Sequence, residues 1–425
     1  MNKAIPKGRW LHIIPPAILV YIVAFMDRSN ISFALAGGMD KELHMTATFG
    51  GLAAGIFFVG YLFLQVPGGL IASKGNAKLF IACTIIVWGV LAIISGFVQN
   101  PTQLLVVRFL LGVAEGGVWP AVLVILANWF PREELGRANA FFLMNLAIAS
   151  IITGPLSGWI LSFSSWRDVF IIEGIISLAL ILVWLPLISN RPEDAKWISK
   201  EERDYLVNKL REEQEELSAS GGAKASFKDI FANVNMWKLI LIYFFYQTGI
   251  YGFSLWLPTI IKGLTNSGMT GVGLLSALPY IGAIFGLYFF AKFSDKTGNR
   301  KLYTALPMAG FAICLILAVV FHHQVWVAFA FLVGCGVFVQ SASSIFWTMP
   351  PLLFKNEVAG GARGAINGIG NLGGFLGPYL VGWLTTVVNQ NAGIYSLVIS
   401  LAIGFILTMT LPKVTSGKAE SKKAA

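Results

Sequence analysis

Four charged side chains stand inside long apolar runs of this sequence: Asp27, Arg28, Arg108 and Glu115. A full charge within an apolar span costs roughly 2.5–3.5 kcal/mol on insertion scales, so such groups are usually paired or functional. Arginine stays charged and presents a planar fork that binds a carboxylate through two hydrogen bonds. A buried Asp or Glu can be neutral at cellular pH and can therefore bind and release a proton. Together these residue types favour the binding of an organic anion together with protons.

Helical spacing restricts how these four groups can be arranged. Arg108 and Glu115 are seven residues apart, so they share one helix face and lie about 10 Å apart along the axis. Asp27 and Arg28 are adjacent and point ~100° apart, so both cannot project straight into one cavity. The alternative to a functional site is a neutral ion-pair cluster that only joins two helices.

The composition identifies the elements that must hold these residues. The chain has 425 residues, of which 56% are hydrophobic and 12% are charged, whereas an average soluble protein has about 25% charged residues. With a mean hydropathy of +0.72, these figures indicate an integral membrane protein and argue against a soluble enzyme, a nucleic-acid binder or a disordered scaffold. No group of residues suggests a nucleophile with its base, and the cysteines and histidines lack metal-ligand spacing. We therefore expect neither an enzyme, nor a metal site, nor a cofactor.

Apolar runs of about 20 residues, the length that crosses a bilayer, occur twelve times. The first six predicted spans are 11–36, 46–71, 79–98, 103–129, 138–161 and 168–188. The second six are 236–261, 272–292, 302–321, 325–353, 362–387 and 393–412. Because twelve is even, both termini are predicted on the same side.

Internal repetition indicates two copies of a six-helix unit. GNAKLF at 75–80 recurs as GNRKLY at 298–303, and GPLSGW from Gly154 recurs as GPYLVGW from Gly377, both at an offset of 223 residues. Since six is even, the copies have the same orientation and surround a central cavity. The predicted fold is an all-α integral membrane protein of twelve transmembrane helices in two parallel repeats. The predicted domains are an N-terminal bundle (1–188), a cytoplasmic linker with an amphipathic helix (189–235), a C-terminal bundle (236–412) and a cytoplasmic tail (413–425).

The distribution of lysine and arginine predicts the orientation. Of the 31, 26 fall on the side of the termini, three fall on the opposite side (Lys41, Arg167 and Lys262), and two lie within spans. The positive-inside rule then places both termini in the cytoplasm. The net charge of +10 follows from this topology, so we expect the lipid bilayer and no nucleic acid as a partner.

The second half carries no charge at the positions that match the first-half cluster. The offset of 223 takes Asp27, Arg28 and Glu115 to Ile250, Tyr251 and Phe338. Polar and aromatic residues stand near these positions instead: Gln247, Gln340, Ser343, Ser344, Trp347, Asn367 and Asn371. We infer that the first half handles the anion charge and protons while the second reads hydroxyl groups. An interhelical hydrogen bond or simple packing is the alternative for any one of them.

Several motifs resemble a known family. The segment SDKTGNRK after span 8 looks like the loop motif of the major facilitator superfamily, although the first-half copy has Ser73 in place of the usual Asp. FMDRSN in span 1, Tyr61 with the following QVPGG in span 2, VRFLLGVAEGGVWP in span 4 and WRDVFIIEG in span 6 resemble its anion:cation symporter branch. Bacterial members of that branch carry sugar acids and other organic carboxylates with protons. Within that branch, the segments SDKTG and FWTMP most resemble those of rhamnonate- and galactonate-type carriers.

The resemblance implies roles for particular residues. Arg28 would contact the substrate carboxylate, Asp27 and Glu115 would carry protons, and Arg108 would couple them. It also implies substrate contacts at Tyr61, Asn145, Ser344, Trp347 and Asn367.

We therefore predict a monomeric, proton-coupled importer of an organic carboxylate, with a sugar acid as the expected substrate class, in the bacterial cytoplasmic membrane. The alternatives are an anion exchanger, or a symporter of a dicarboxylate or an aromatic carboxylate.

Overall fold

The computed structural model describes residues 7–219, 231–354 and 356–412. Within these ranges the α-helices and one short 3₁₀ helix are the only regular elements. The predicted tail (413–425) and most of the glycine-containing part of the linker lie outside the described residues. We name the side where span 1 begins the terminal face and the opposite side the distal face.

The spans of the first half follow the predicted order. Spans 1 to 6 are Gly8–Ala36, Ala47–Lys74, Ala77–Ser95, Pro101–Trp129, Arg132–Phe163 and Trp166–Leu187. Span 4 is interrupted at Gly117, span 5 at Met144 and span 6 at Leu180. A single-turn helix, Met39–Glu42, follows span 1.

The second half has the same layout. Spans 7 to 10 are Val234–Thr265, Met269–Thr297, Arg300–Val320 and Val325–Leu353, and span 12 is Gln390–Met409. Span 11 consists of two helices, Asn356–Gly370 and Gly373–Val387. Eleven helices in the described residues are long and apolar enough to cross a membrane. The predicted twelfth, span 11, is divided at Asn371 and Leu372, so each part alone is shorter than a full span. The predicted all-α fold of paired six-helix repeats is confirmed.

Local structure repeats at the same offset as the sequence. Span 3 begins at an N-cap, Asn76, whose side chain accepts a 2.8 Å hydrogen bond from the amide of Leu79. Span 9 begins the same way at Asn299, which accepts from the amide of Leu302 at 3.1 Å. The break in span 4 at Gly117 also corresponds to the break in span 10 at Gln340. An N-cap satisfies helix amides that have no partner within the helix, so both copies start this span by the same mechanism.

The two halves meet most closely near the distal face. A Cβ on Gly273 of span 8 would lie 2.3 Å from the carbonyl oxygen of Gly154 of span 5. A Cβ on Gly51 of span 2 would lie 2.2 Å from the carbonyl oxygen of Pro378 in span 11. Only glycine permits backbones to approach this closely, as is usual between packed membrane helices. The Nζ of Lys262, at the distal end of span 7, also donates to the carbonyl oxygen of Ala36 at 2.6 Å.

The linker contains a helix, Lys200–Ala219, that is attached to the first half. The side chain of Arg9 is 2% exposed, and its guanidinium donates to Glu202 of this helix at 2.6 Å and to Glu134 at 2.8 Å. The backbone amides of Gly8 and Arg9 donate to the same Glu202 carboxylate at 3.1 and 3.2 Å. These charge-assisted bonds fix the start of the linker helix to the start of span 1.

Candidate functional site

The charged residues of spans 1 and 4 form one buried cluster. The Nη2 atom of Arg28 lies 3.3 Å from Oε2 of Glu115, and both side chains are buried. The Arg28 guanidinium also stands 5.0 Å from the ring centroid of Phe57 and 4.8 Å from that of Tyr61. Both rings belong to span 2, so three helices determine the position of this guanidinium. Aromatic faces attract a cation without occupying its hydrogen-bonding edge.

The side chain of Arg108 binds backbone carbonyl groups of span 1. Its Nη1 donates to the carbonyl oxygen of Asp27 at 3.1 Å, and its Nη2 donates to that of Arg28 at 3.3 Å. Its guanidinium also lies 5.2 Å from the ring of Phe57. Arg108 therefore positions the segment that carries both span 1 charges.

Asp27 and Arg28 face different partners, as their angular separation predicts. The Asp27 carboxylate accepts a hydrogen bond from the hydroxyl of Ser177 in span 6, while Arg28 faces Glu115 and a cavity. The Ser177 hydroxyl is also 3.0 Å from the carbonyl oxygen of Glu173. Sequence analysis did not identify Ser177, because a single serine in an apolar span has no distinguishing pattern.

Both carboxylates of the cluster keep one oxygen without a partner. Among the described residues, Oδ1 of Asp27 and Oε1 of Glu115 are buried and have no hydrogen-bond partner. A buried acceptor without a donor is unfavourable, and a buried charge adds to that cost. In its charged form, each carboxyl group therefore lacks one hydrogen bond at its buried position.

A cavity of about 60 Å³ begins at Arg28 and extends between the two halves. It has room for several water molecules. Its wall comes from spans 1, 2, 5, 7, 8 and 11, mostly from their distal parts. Among the described residues, Arg28 is the only charged one in that wall, and Tyr251, the repeat counterpart of Arg28, also lines it.

The other predicted substrate contacts lie outside this cavity wall. The ring of Tyr61 packs under Arg28, and its hydroxyl is 3.4 Å from that of Tyr21. Asn145 is buried at the break in span 5 and donates to the carbonyl oxygen of Phe142. Ser344 is exposed, and Trp347 packs against the ring of Tyr243 at 5.0 Å. Both lie nearer the terminal face than Arg28 does, because span 10 runs toward that face.

Asn367 belongs to a row of amide side chains that joins the halves. Its Nδ2 donates to Oε1 of Gln65 in span 2 at 3.0 Å, and its Oδ1 accepts from Asn371 at 3.1 Å. Gln247 of span 7 donates to the Oδ1 of Asn371 at 2.9 Å. Three of these residues were identified from the sequence as polar groups of the second half, whereas Gln65 was noted only as part of a motif.

The structure adds hydroxyl groups that the sequence analysis missed. Ser32 of span 1, Ser150 and Thr153 of span 5, and Ser276 and Tyr280 of span 8 line the cavity. The four-residue spacing of Ser276 and Tyr280, which places them on one helix face, was the available signal.

Comparison with known proteins agrees with this architecture. The profile of the family described as Major Facilitator Superfamily matches residues 17–378 and 269–425. A putative tartrate transporter of Agrobacterium vitis is 35% identical over 416 residues, covering 95% of this chain and 94% of the relative. The inner membrane transport protein RhmT of Escherichia coli (strain K12) is 31% identical over 422 residues, with 96% and 95% coverage.

A solved structure shows the same fold. It is a bacterial homolog of the human lysosomal transporter Spinster in an inward-facing, occupied conformation. The TM-score is 0.73 at 14% identity, with 95% of this chain and 97% of the other covered.

Proposed function

Because the chain belongs to the major facilitator superfamily of membrane transporters, we propose that it is a proton-coupled importer of an organic carboxylate, with a sugar acid as the substrate class. The observation that carries the proposal is the ion pair between the buried Glu115 and Arg28, which lines the cavity. Relatives named as putative tartrate transporters support an organic acid as cargo.

The pair suggests how a proton and an anion bind together. Glu115 occupies part of the Arg28 fork when it is charged. Once Glu115 takes up a proton, its attraction for Arg28 weakens, and the guanidinium can bind a substrate carboxylate with both hydrogen-bonding edges. Release of the proton returns Glu115 to Arg28 and displaces the substrate. Proton binding and substrate binding therefore strengthen each other.

Asp27 and Arg108 complete the proposed coupling site. Asp27 is a second proton carrier held by Ser177, and Arg108 couples the two acids through the backbone of span 1. We retain Tyr61, Asn145, Ser344, Trp347 and Asn367 as proposed substrate contacts. Those on the terminal side of Arg28 would be reached when the carrier opens toward that face.

The experiment that tests the function is uptake into proteoliposomes with an imposed pH gradient. We expect an inwardly directed proton gradient, with the more acidic solution outside, to drive accumulation of a sugar acid. D-gluconate is the first probe. Succinate, benzoate and tartrate added as competitors will show whether a dicarboxylate or an aromatic acid binds better. Exchange of gluconate without pH-driven accumulation would favour the alternative, an anion exchanger. Tyr251 at the counterpart of Arg28 weighs against an exchanger that uses basic residues from both halves.

We also propose that the protein is a monomer in the bacterial cytoplasmic membrane with its terminal face in the cytoplasm. The support is the excess of lysine and arginine on that face. Glu216 is exposed on the linker helix, and Gln99 is exposed in the distal loop between spans 3 and 4.

This orientation predicts the outcome of cysteine labelling. An impermeant thiol reagent added to intact cells should label Gln99→Cys and should leave Glu216→Cys unlabelled until the membrane is permeabilised. The reverse pattern would mean that the orientation is inverted. The two variants serve as controls for each other, because both positions lie outside the spans.

A further inference from the structure

The wall of the cavity on the distal side of Arg28 carries several hydroxyl groups. Three of them already donate their protons within their own helices. Ser32 donates to the carbonyl oxygen of Ser29 at 2.6 Å, Ser150 to that of Leu146 at 2.9 Å, and Thr153 to that of Ala149 at 2.8 Å. Each hydroxyl therefore offers only its lone pairs to a ligand in the cavity.

These three acceptors favour a ligand that carries hydrogen-bond donors. The hydroxyl groups of a polyol can donate to these oxygens, whereas carboxylate and ketone oxygens can only accept. A second carboxylate on the ligand would find no second cation, because Arg28 is the only charged residue that the described part of the chain contributes to the wall. The lining thus fits a hydroxylated chain with one carboxylate.

Ser276 is the exception among these hydroxyls. Its side chain is 2% exposed and lines the cavity, and its Oγ has no hydrogen-bond partner among the described residues. It lies beside the close contact of the halves, 3.6 Å from the position of a Cβ on Gly154. A buried hydroxyl without a partner is unfavourable. A hydrogen bond from the ligand to this hydroxyl removes that cost, so it stabilises the complex more than a hydrogen bond that only replaces one to water.

We propose that this part of the cavity is a hydroxyl-recognising subsite for the polyol chain of a monocarboxylic acid, with Arg28 at the carboxylate end and Ser276 and Thr153 at the chain. The proposal rests on the proposed function and deepens it, because it selects aldonates over dicarboxylates. It also assigns hydroxyl recognition to spans 5 and 8, in addition to the second-half residues predicted from the sequence.

The test compares D-gluconate with hexanoate, which has the same carbon number and one carboxylate but no hydroxyl groups. The affinity for each acid is obtained from its inhibition of carrier-mediated gluconate exchange. We expect wild-type protein to prefer gluconate. In Ser276→Ala and in Thr153→Val, which nearly keeps the side-chain volume, the preference should fall about 3- to 10-fold, as for the loss of one net hydrogen bond. Hexanoate affinity should stay within about 2-fold of wild type, because hexanoate has no hydroxyl group that could bind at these positions.

Controls separate this subsite from general damage. Ser396→Ala removes a buried hydroxyl in span 12 that donates to a carbonyl oxygen of its own helix at 2.6 Å, and it should leave the preference unchanged. Ser276→Cys keeps similar volume with a weak donor and should behave like Ser276→Ala.

The possible outcomes are distinguishable. If wild-type protein binds gluconate but both variants keep its full preference over hexanoate, the subsite proposal is overturned while the transport function stands. Equal loss for both acids would also overturn it, because the two residues would then be structural. If no carboxylate inhibits exchange by wild-type protein, the proposed function itself fails.

Discussion

Glu115→Gln should abolish accumulation driven by a proton gradient while substrate exchange across the membrane continues. Glutamine mimics the protonated acid in shape and hydrogen bonding, and it no longer forms an ion pair with Arg28, which lies 3.3 Å away in the native protein. The substrate-loaded carrier can therefore still form and still switch between its two open conformations. The empty carrier cannot release a proton inside, so the step that makes transport directional is lost.

The measurement uses reconstituted vesicles in two modes: counterflow at equal pH and accumulation under an imposed pH gradient. Loss of accumulation with retained counterflow is the expected pattern. If Asp27 carries a second proton, a monoanion enters with net positive charge, and wild-type uptake should respond to membrane potential by about 2.3 kcal/mol per 100 mV.

Glu173→Gln is the matched control for this experiment. Glu173 is equally buried but accepts a 2.7 Å hydrogen bond from Ser157 and is not paired with an arginine in the described contacts. The control variant should still accumulate substrate. Accumulation by Glu115→Gln against the substrate gradient would show that Glu115 is only part of a buried ion pair.

Arg28→Lys should weaken substrate binding although the charge is kept. An ammonium group cannot present two parallel donors to a carboxylate, and it loses the flat face that rests on Phe57 and Tyr61. Loss of one charge-assisted pair should cost about 1.5–3 kcal/mol, which corresponds to about 10- to 150-fold in affinity. Competition of unlabelled D-gluconate in the exchange assay gives this affinity.

Arg9→Lys is the control for a buried arginine that also binds carboxylates. It lies at the terminal face, away from the cavity, and pairs with Glu134 and Glu202. We expect it to lower thermal stability and to leave substrate affinity unchanged. Near-normal affinity in Arg28→Lys would make Arg28 structural, and Arg108 would become the next candidate for the anion contact.

Much of the fold follows from the sequence because its signals are long and repeated. The twelve apolar runs and the offset of 223 residues correspond to the observed helices, with ends displaced by a few residues at most places. Spans 5 and 11 differ more, since their helices begin at Arg132 rather than 138 and at Asn356 rather than 362. In span 5 the reason is local. The segment REELGRANA is too polar to count toward an apolar run, yet it extends the helix beyond the apolar region.

The central charges were also predictable, because a charge in an apolar run has few explanations. Their partners were not. Ser177, Ser157 and Ser276 are single hydroxyls in apolar spans, and their importance depends on which helix faces them. The packing of spans 5 and 8 at Gly154 and Gly273 determines this for Ser276. Without a three-dimensional arrangement, nothing distinguishes it from the other serines.

The row of amides from Gln247 to Gln65 has a consequence for the resting state of the carrier. The Asn367–Gln65 bond joins the halves on the terminal side, whereas the distal side is held by the close backbone approach at Gly51 and Gly273. Opening the terminal side breaks a hydrogen bond with a net value of about 0.5–1.5 kcal/mol, a factor of roughly 2 to 13 in the ratio of conformers. A substitution of Gln65 alone should therefore shift the fraction of molecules open to one compartment, without altering a residue that is proposed to bind the substrate.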